Sequence, residues 1–258
     1  GGDGGGDDVD DWSPASWEPA LASGALDVGA LQRDADAAVA AAAPAVRAAA
    51  LRPTRYVVDG RHVDIYPISN SLPASMFART VPPKLVGFAA NLPGNSSTYM
   101  YNDEESYLGH YRGALLGVTR KKMGWDVARH LEIMACGCVP YFIDLPRLPP
   151  RTLVHYPREL LHAARRLRGV RASAPPRAAA DDGADGARGA PWYLDARSYS
   201  VSAALRASEY LPLAASVLAH AREHLSTRAM AHHVLSAMNL SASDAAPLLY
   251  VGHCSEDF

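Results

Sequence analysis

The chain is poor in cysteine, and the three it has, Cys136, Cys138 and Cys254, exclude a disulfide-stapled fold. Cys136 and Cys138 form a C-x-C pair with no further Cys or His at metal-ligand spacing, so they read as small buried hydrophobes. The odd number suits a reducing compartment. An excess of one charge is also missing: a net charge of −2 and a pI near 6.6 argue against a general nucleic-acid binder and leave room only for a local basic patch. No apolar run reaches the roughly 20 residues that a bilayer requires; the Ala37–Ala50 tract is too short and too weakly hydrophobic. An initiating Met is absent, and the chain stops just after a strand-like run, so both ends are expected to be cuts in a longer protein. The lack of a leader therefore leaves the compartment open, cytoplasmic or endomembrane.

What is present is unevenly spread. Residues 1–54 divide into an acidic Gly-rich tail and an Ala-rich helix interrupted at Pro44. The tail contains Asp8-Val9-Asp10, a D-x-D that reads as solvated in this setting. From Arg55 the texture changes. Tyr56-Val57-Val58 and Val63–Tyr66 alternate like short strands around a turn at Asp59-Gly60. Strand-length apolar runs follow at Lys84–Ala90, Leu115–Val118 and Val139–Ile143, separated by helical segments at Glu104–Arg112 and Asp126–Cys138, with another from about Tyr156 to Leu167. This alternation predicts an α/β domain at 55–167, Rossmann-like, with a parallel sheet and helices on both faces. Low-complexity residues 168–196 read as a disordered linker. Residues 197–258 read as a helical segment followed by the first strand, Leu248–Val251, of a further truncated unit.

The candidate site lies at Thr119–Pro140. On a helical wheel Val127, Leu131, Met134 and Cys138 form one apolar stripe, and Arg129 and Glu132 stand off it as an i, i+3 pair. Asp126 is a natural N-cap after the turn at Gly124. That turn carries Arg120, Lys121 and Lys122, and cations beside a helix N-terminus form an anion site. A carboxylate such as Glu132 accepts hydrogen bonds from ribose or sugar hydroxyls. The plainer reading of the same residues is a surface ion pair beside a solvated basic turn.

The run GWDVARHLEIMACGCVPYF (residues 124–142) resembles the donor-binding motif in the C-terminal half of GT-B glycosyltransferases. Large retaining families of that class carry E-A-M-A-x-G-x-P, which Glu132–Pro140 matches closely. The G-C-x-P ending at Gly137–Pro140 is also similar to exostosin-type sequences. The resemblance is sharp over residues 115–160 and extends to about residue 63, where YPISNSLP and PPKLVGFAANLP read like opening strands. It implies that Glu132 bonds the donor ribose, that Arg129, Lys121 and Lys122 face the diphosphate, and that Gly137 allows close helix–strand packing. It further implies a nucleotide diphosphate sugar as donor, a glycan, protein or lipid acceptor, no bound metal or other cofactor, and a partner domain missing from this chain. One departure stands out. Retaining members often carry an earlier Glu eight positions before the second, where this chain has Gly124, flanked by Trp125 and Asp126 as possible replacements. No general base is identifiable. A non-catalytic nucleotide-sugar or glycan-binding module, and an α/β interaction domain of a multi-domain protein, are the competing readings.

Other motifs carry less. His220–His224 spells H-x-x-E-H, whose histidines share a helix face as zinc requires, but no acidic helix follows to complete the ligand set; a solvated helix face is the reading taken. Asn95-Ser96-Ser97 and Asn239-Leu240-Ser241 are glycosylation sequons, relevant only to a secreted chain. Tyr99, Tyr101, Tyr107 and Tyr111 are placed either to stack on a sugar or simply to pack.

Overall fold

The computed structural model describes residues 12–173 and 192–240. Asp8-Val9-Asp10, Cys254, Ser241 of the second sequon, the middle of the expected linker and the expected strand Leu248–Val251 lie outside them. The chain is mixed α/β. Its elements are α1 (Glu18–Ala22), α2 (Val28–Ala50), β1 (Thr54–Val58), β2 (Arg61–Ile65), β3 (Val86–Phe88), α3 (Glu104–Arg112), β4 (Ala114–Thr119), α4 (Ala128–Ala135), β5 (Val139–Phe142), α5 (Arg158–Ala164), β6 (Val170–Ala172), β7 (Tyr199–Val201), α6 (Ala207–His224) and α7 (Thr227–Ala237).

Strands β3, β4 and β5 form a three-stranded parallel sheet in that order, with Phe88 opposite Leu116 and Leu116 opposite Val139. Every residue of β4 and β5 is buried, which explains why both read as continuous apolar runs rather than alternating ones. Among the described residues β5 pairs with β4 alone and is an edge strand, the position where a Pro is tolerated in a sheet. Helices α3 and α4 cross between these strands and pack on each other. Asp103 caps α3 by accepting from Ser106 N at 2.8 Å.

The expected strand Lys84–Ala90 shortens to three residues. Its first residue is withdrawn by a contact that its charge conceals in sequence. Lys84 is 7% exposed, and its Nζ donates to Arg112 O at 3.0 Å and Gly137 O at 2.7 Å. One ammonium thus serves carbonyls at the C-terminal ends of α3 and α4, where the helix dipoles favour a cation. Burial, only partly offset by neighbouring Cys138 and Cys136, lowers its pKa to about 8. The segment YPISNSLP is not a strand; its one ladder contact is the isolated bridge from Leu72 to Ser226.

Three further expectations are corrected. Pro44 does not interrupt α2, which runs for 23 residues. An internal Pro costs a helix about 3 kcal/mol. Against that cost, Ala35, Ala43 and Ala50 are buried along its length, α2 packs on α6, and Gln32 Nε2 bonds Ala215 O at 3.1 Å. The described part of the N-terminal tail is not wholly solvated: it is anchored by Trp12 and Trp17, which are buried edge-to-face, and Trp17 leans on Tyr210 of α6. The start of the expected linker contains β6, which pairs antiparallel with β7. Gly87 has no Cβ, and an added one would stand 2.9 Å from the Val201 side chain, so β7 lies hard against β3.

Helix α6 packs on α2, α4 and α5, and one continuous buried cluster includes residues of α2, β4, α4, β5, α5 and α6. The hairpin β1–β2 behaves differently. Asp59 (φ 49°) and Gly60 (φ 73°) form its two-residue turn, as expected. Yet every residue of β2 is exposed, and so are Tyr56, Val57 and Val58 of β1.

Candidate functional site

Strand β4 delivers Thr119 to the C-terminal end of the parallel sheet, the place where such sheets bind ligands. The chain then loops through residues 120–127 and re-enters as α4. Buried His130 holds this loop. Its Nε2 lies 2.9 Å from Trp125 O, a carbonyl that can only accept, so Nε2 carries the proton. Nδ1 is then the acceptor for the Thr119 hydroxyl at 2.7 Å. Burial, opposed by the Trp125 carbonyl and the Asp126 and Asp144 charges, lowers the His130 pKa to about 4, so the neutral tautomer persists at neutral pH.

Helix α4 is shorter than expected, and Asp126 is not its N-cap. Val127 occupies that position with no side-chain cap. Asp126 Oδ2 instead accepts from Asn70 N at 2.7 Å and Oδ1 from Tyr156 OH at 2.9 Å, tying the site loop to two distant segments. The apolar stripe is broader than one face: His130, Leu131, Ile133, Met134 and Ala135 are all buried, because α4 packs against α3 and α6 as well as the sheet. Gly137 follows with φ 64°, and a Cβ there would stand 2.7 Å from Pro82 Cδ. Its close neighbour is therefore the segment Val81-Pro82 rather than a strand.

A cleft of about 220 Å³ opens at the strand ends, lined by Pro93, Tyr107, Thr119, Arg120, Lys122, Val127, Arg129 and Glu132. Among the described residues Arg129 and Glu132 do not form the expected ion pair. Glu132 Oε2 instead accepts a 2.6 Å hydrogen bond from Tyr107 OH. Burial, with the Glu132 hydrogen bond and charge behind it, pushes the Tyr107 phenol up to about 12, so Tyr107 is the donor at any ordinary pH. The Arg129 guanidinium lies over the Tyr99 ring, 5.5 Å from its centroid, and its Nη1 has no hydrogen-bond partner among the described residues. Arg120 stacks 4.0 Å over Tyr193 with its Nε 4.0 Å from Asp144 Oδ2.

Of the residues singled out in sequence, Arg120, Lys122, Arg129 and Glu132 therefore share one cleft. Lys121, Gly124, Trp125, Asp126 and Gly137 do not line it. Lys121 donates its backbone N–H to Asp144 Oδ2 at 2.9 Å and places Nζ 5.5 Å from the Trp125 ring centroid. Gly124 faces open space. Sequence reasoning underrated Tyr107, whose position on α3 opposite Glu132 depends on how α3 and α4 pack. It missed Thr119 and Asp144 as well. Of the other tyrosines, Tyr101 stacks on His110 at 4.5 Å and Tyr111 is fully buried. Asn95 is occupied: its Nδ2 donates to Leu194 O at 2.7 Å, which a glycan on that nitrogen would disrupt.

No group of His, Cys, Asp and Glu among the described residues is arranged to hold a metal ion. In H-x-x-E-H, Glu223 pairs with Arg47 and His220 Nε2 bonds His155 O at 2.8 Å. Nor is that face solvated: His224 is only 4% exposed. No helix among the described residues is long and apolar enough to cross a membrane. No family model, curated protein or solved structure matches the chain.

Proposed function

We propose that the strand-end cleft is the donor site of a glycosyltransferase domain, binding a nucleotide diphosphate sugar whose sugar is transferred to a hydroxyl of a glycan, protein or lipid acceptor. The carrying observation is the Tyr107–Glu132 pair beside Arg120, Lys122 and Arg129 at the end of β4. A carboxylate fixed by one phenol keeps its other oxygen free to accept from a ribose diol, and the neighbouring cations suit a diphosphate. The β3–α3–β4–α4–β5–α5 alternation is compatible with the Rossmann-like donor domain that this reading requires. At about 220 Å³ the cleft matches a ribose and its phosphates better than a whole nucleotide sugar. A missing partner domain would supply the remaining wall and the acceptor. Glu132 orients the donor, and Arg120, Lys122 and Arg129 stabilise the departing diphosphate without a metal.

One observation favours a second reading, a non-catalytic nucleotide-sugar-binding module. Gly124, where retaining enzymes of the resembled class often carry a Glu, brings no side chain, and the space around it is open.

The test of binding is a thermal-shift titration with UDP, GDP, ADP and their sugar conjugates, beside Glu132→Ala. A ligand at 100 times its Kd raises stability by about 2.7 kcal/mol. We expect one nucleotide to raise the melting temperature saturably and Glu132→Ala to weaken that response at least tenfold. A cooperatively melting protein that responds to none of them would sink both readings. Transfer to an acceptor by a longer chain decides between enzyme and binding module.

A further inference from the structure

A second and larger cavity, about 610 Å³, shares no lining residue with the strand-end cleft. It opens between the C-terminal end of α2, presenting Val46, Arg47 and Ala50 with the C-cap Leu51, and one face of α7, presenting Arg228, His232 and Ser236. The spacings, i, i+1, i+4, i+5 on α2 and i, i+4, i+8 on α7, are those of single helical faces. The C-terminal turn of α6 contributes Arg222, Glu223 and His224, and His155, His233 and Ser226 also line the wall.

This is not an ordinary packing void, which would be small and apolar. Three guanidiniums and one carboxylate line it, so its charge balance is positive. Two of the three are anchored: Arg47 pairs with Glu223, and Arg222 lies 3.2 Å from Asp36 and donates to Arg79 O at 3.1 Å. Each guanidinium has five N–H donors, so anchoring does not exhaust them. Arg228 has no ion-pair partner among the described residues. His224, 4% exposed, also lines the cavity, but its Nε2 is closed off from it and has no hydrogen-bond partner among the described residues.

We propose that this cavity is a binding site for a small organic anion, a phosphate ester or carboxylate carried on an apolar body. Arg228 receives the anionic group, with the remaining N–H donors of Arg47 and Arg222 beside it, and Val46, Ala50 and Leu51 receive the apolar part. The site is independent of the donor cleft and stands whether or not that cleft binds a nucleotide.

The test is isothermal titration of the full chain with phenyl phosphate, phenylacetate and neutral benzyl alcohol. At least one anion is expected to bind saturably and about tenfold or more tighter than the alcohol. Arg228→Glu, at an exposed position where folding tolerates the change, is expected to weaken it about tenfold or more. Lys122→Ala leaves it unchanged. Tighter phenyl phosphate identifies the ligand as an ester, and tighter phenylacetate as a carboxylate. Absence of saturable binding, equal binding of benzyl alcohol, indifference to Arg228→Glu, or loss on Lys122→Ala would each overturn the proposal.

Discussion

His130 and His224 are almost equally buried, 1% and 4% exposed, yet they stand in opposite circumstances. At the strand-end cleft, both nitrogens of His130 are used, one on Trp125 O and one on the Thr119 hydroxyl, with its ring tilted against Phe142, 4.5 Å between centroids. Beside the larger cavity, His224 has a ring neighbour, His220 at 4.5 Å, but its Nε2 has no hydrogen-bond partner among the described residues. Burial fraction alone does not separate the two; hydrogen-bond satisfaction does. A satisfied buried imidazole is a structural brace, whereas an unsatisfied one is held at a cost.

Acid breaks both regions together and is the largest effect expected. Burial is the leading cause of the depressed pKa of His130 and His220, each to about 4, and of His224, to about 3. In the unfolded chain these groups titrate near 6.5. Between about pH 4 and 6.5 the unfolded state therefore binds more protons, so stability is complete above 6.5 and falls as pH drops through that window. The slope for a brace such as His130 is about 1.4 kcal/mol per pH unit, with the other two acting in the same direction. Melting temperatures measured from pH 7 to pH 4 should fall steeply. A flat profile would mean that these rings are solvated.

Truncation separates the two regions. His130→Ala removes a packed ring and leaves Thr119 Oγ1 and Trp125 O short of a partner, and it should cost about 3–5 kcal/mol. His224→Ala removes an unsatisfied ring beside an existing cavity and should cost about 1 kcal/mol. Denaturant midpoints of the two variants measure the difference. Equal losses would show that hydrogen-bond satisfaction does not distinguish these histidines.

Much of the central sheet was legible because its period is simple. Glu104–Arg112 forms α3 as read, and the runs at Leu115–Val118 and Val139–Ile143 agree with β4 and β5 to within a residue at either end. The failures share a cause, which is long-range packing. Pro44 stays helical because α6 lies alongside; Lys84 goes inside because two helix C-termini meet there; Asp126 abandons the cap because Asn70 and Tyr156 reach it first. The candidate site shows the same division. The residues of the motif were visible as a basic turn and an Arg–Glu face, but Glu132's partner proved to be Tyr107, 25 positions away on another helix.

That partner gives the subtlest prediction. Tyr107→Phe keeps the ring that packs edge-to-face on Tyr111, 5.4 Å between centroids, and removes only the hydroxyl. Glu132 is half-buried and regains water, so stability should change by less than about 1 kcal/mol. Ligand discrimination should change more. If Glu132 receives a ribose, the wild-type protein favours a ribonucleotide over its 2′-deoxy analogue, since the missing hydroxyl leaves a carboxylate oxygen unpaired. Without the phenol the carboxylate is free to turn, and that preference should shrink about threefold to tenfold while the phosphates keep their contacts with Arg120 and Arg129. Paired titrations of UDP and 2′-deoxy-UDP, or of whichever nucleotide binds, read this ratio directly. Weaker binding of both by the same factor would mean that Tyr107 supports the cleft wall without orienting Glu132. An unchanged ratio would mean that α4 alone holds the carboxylate in place.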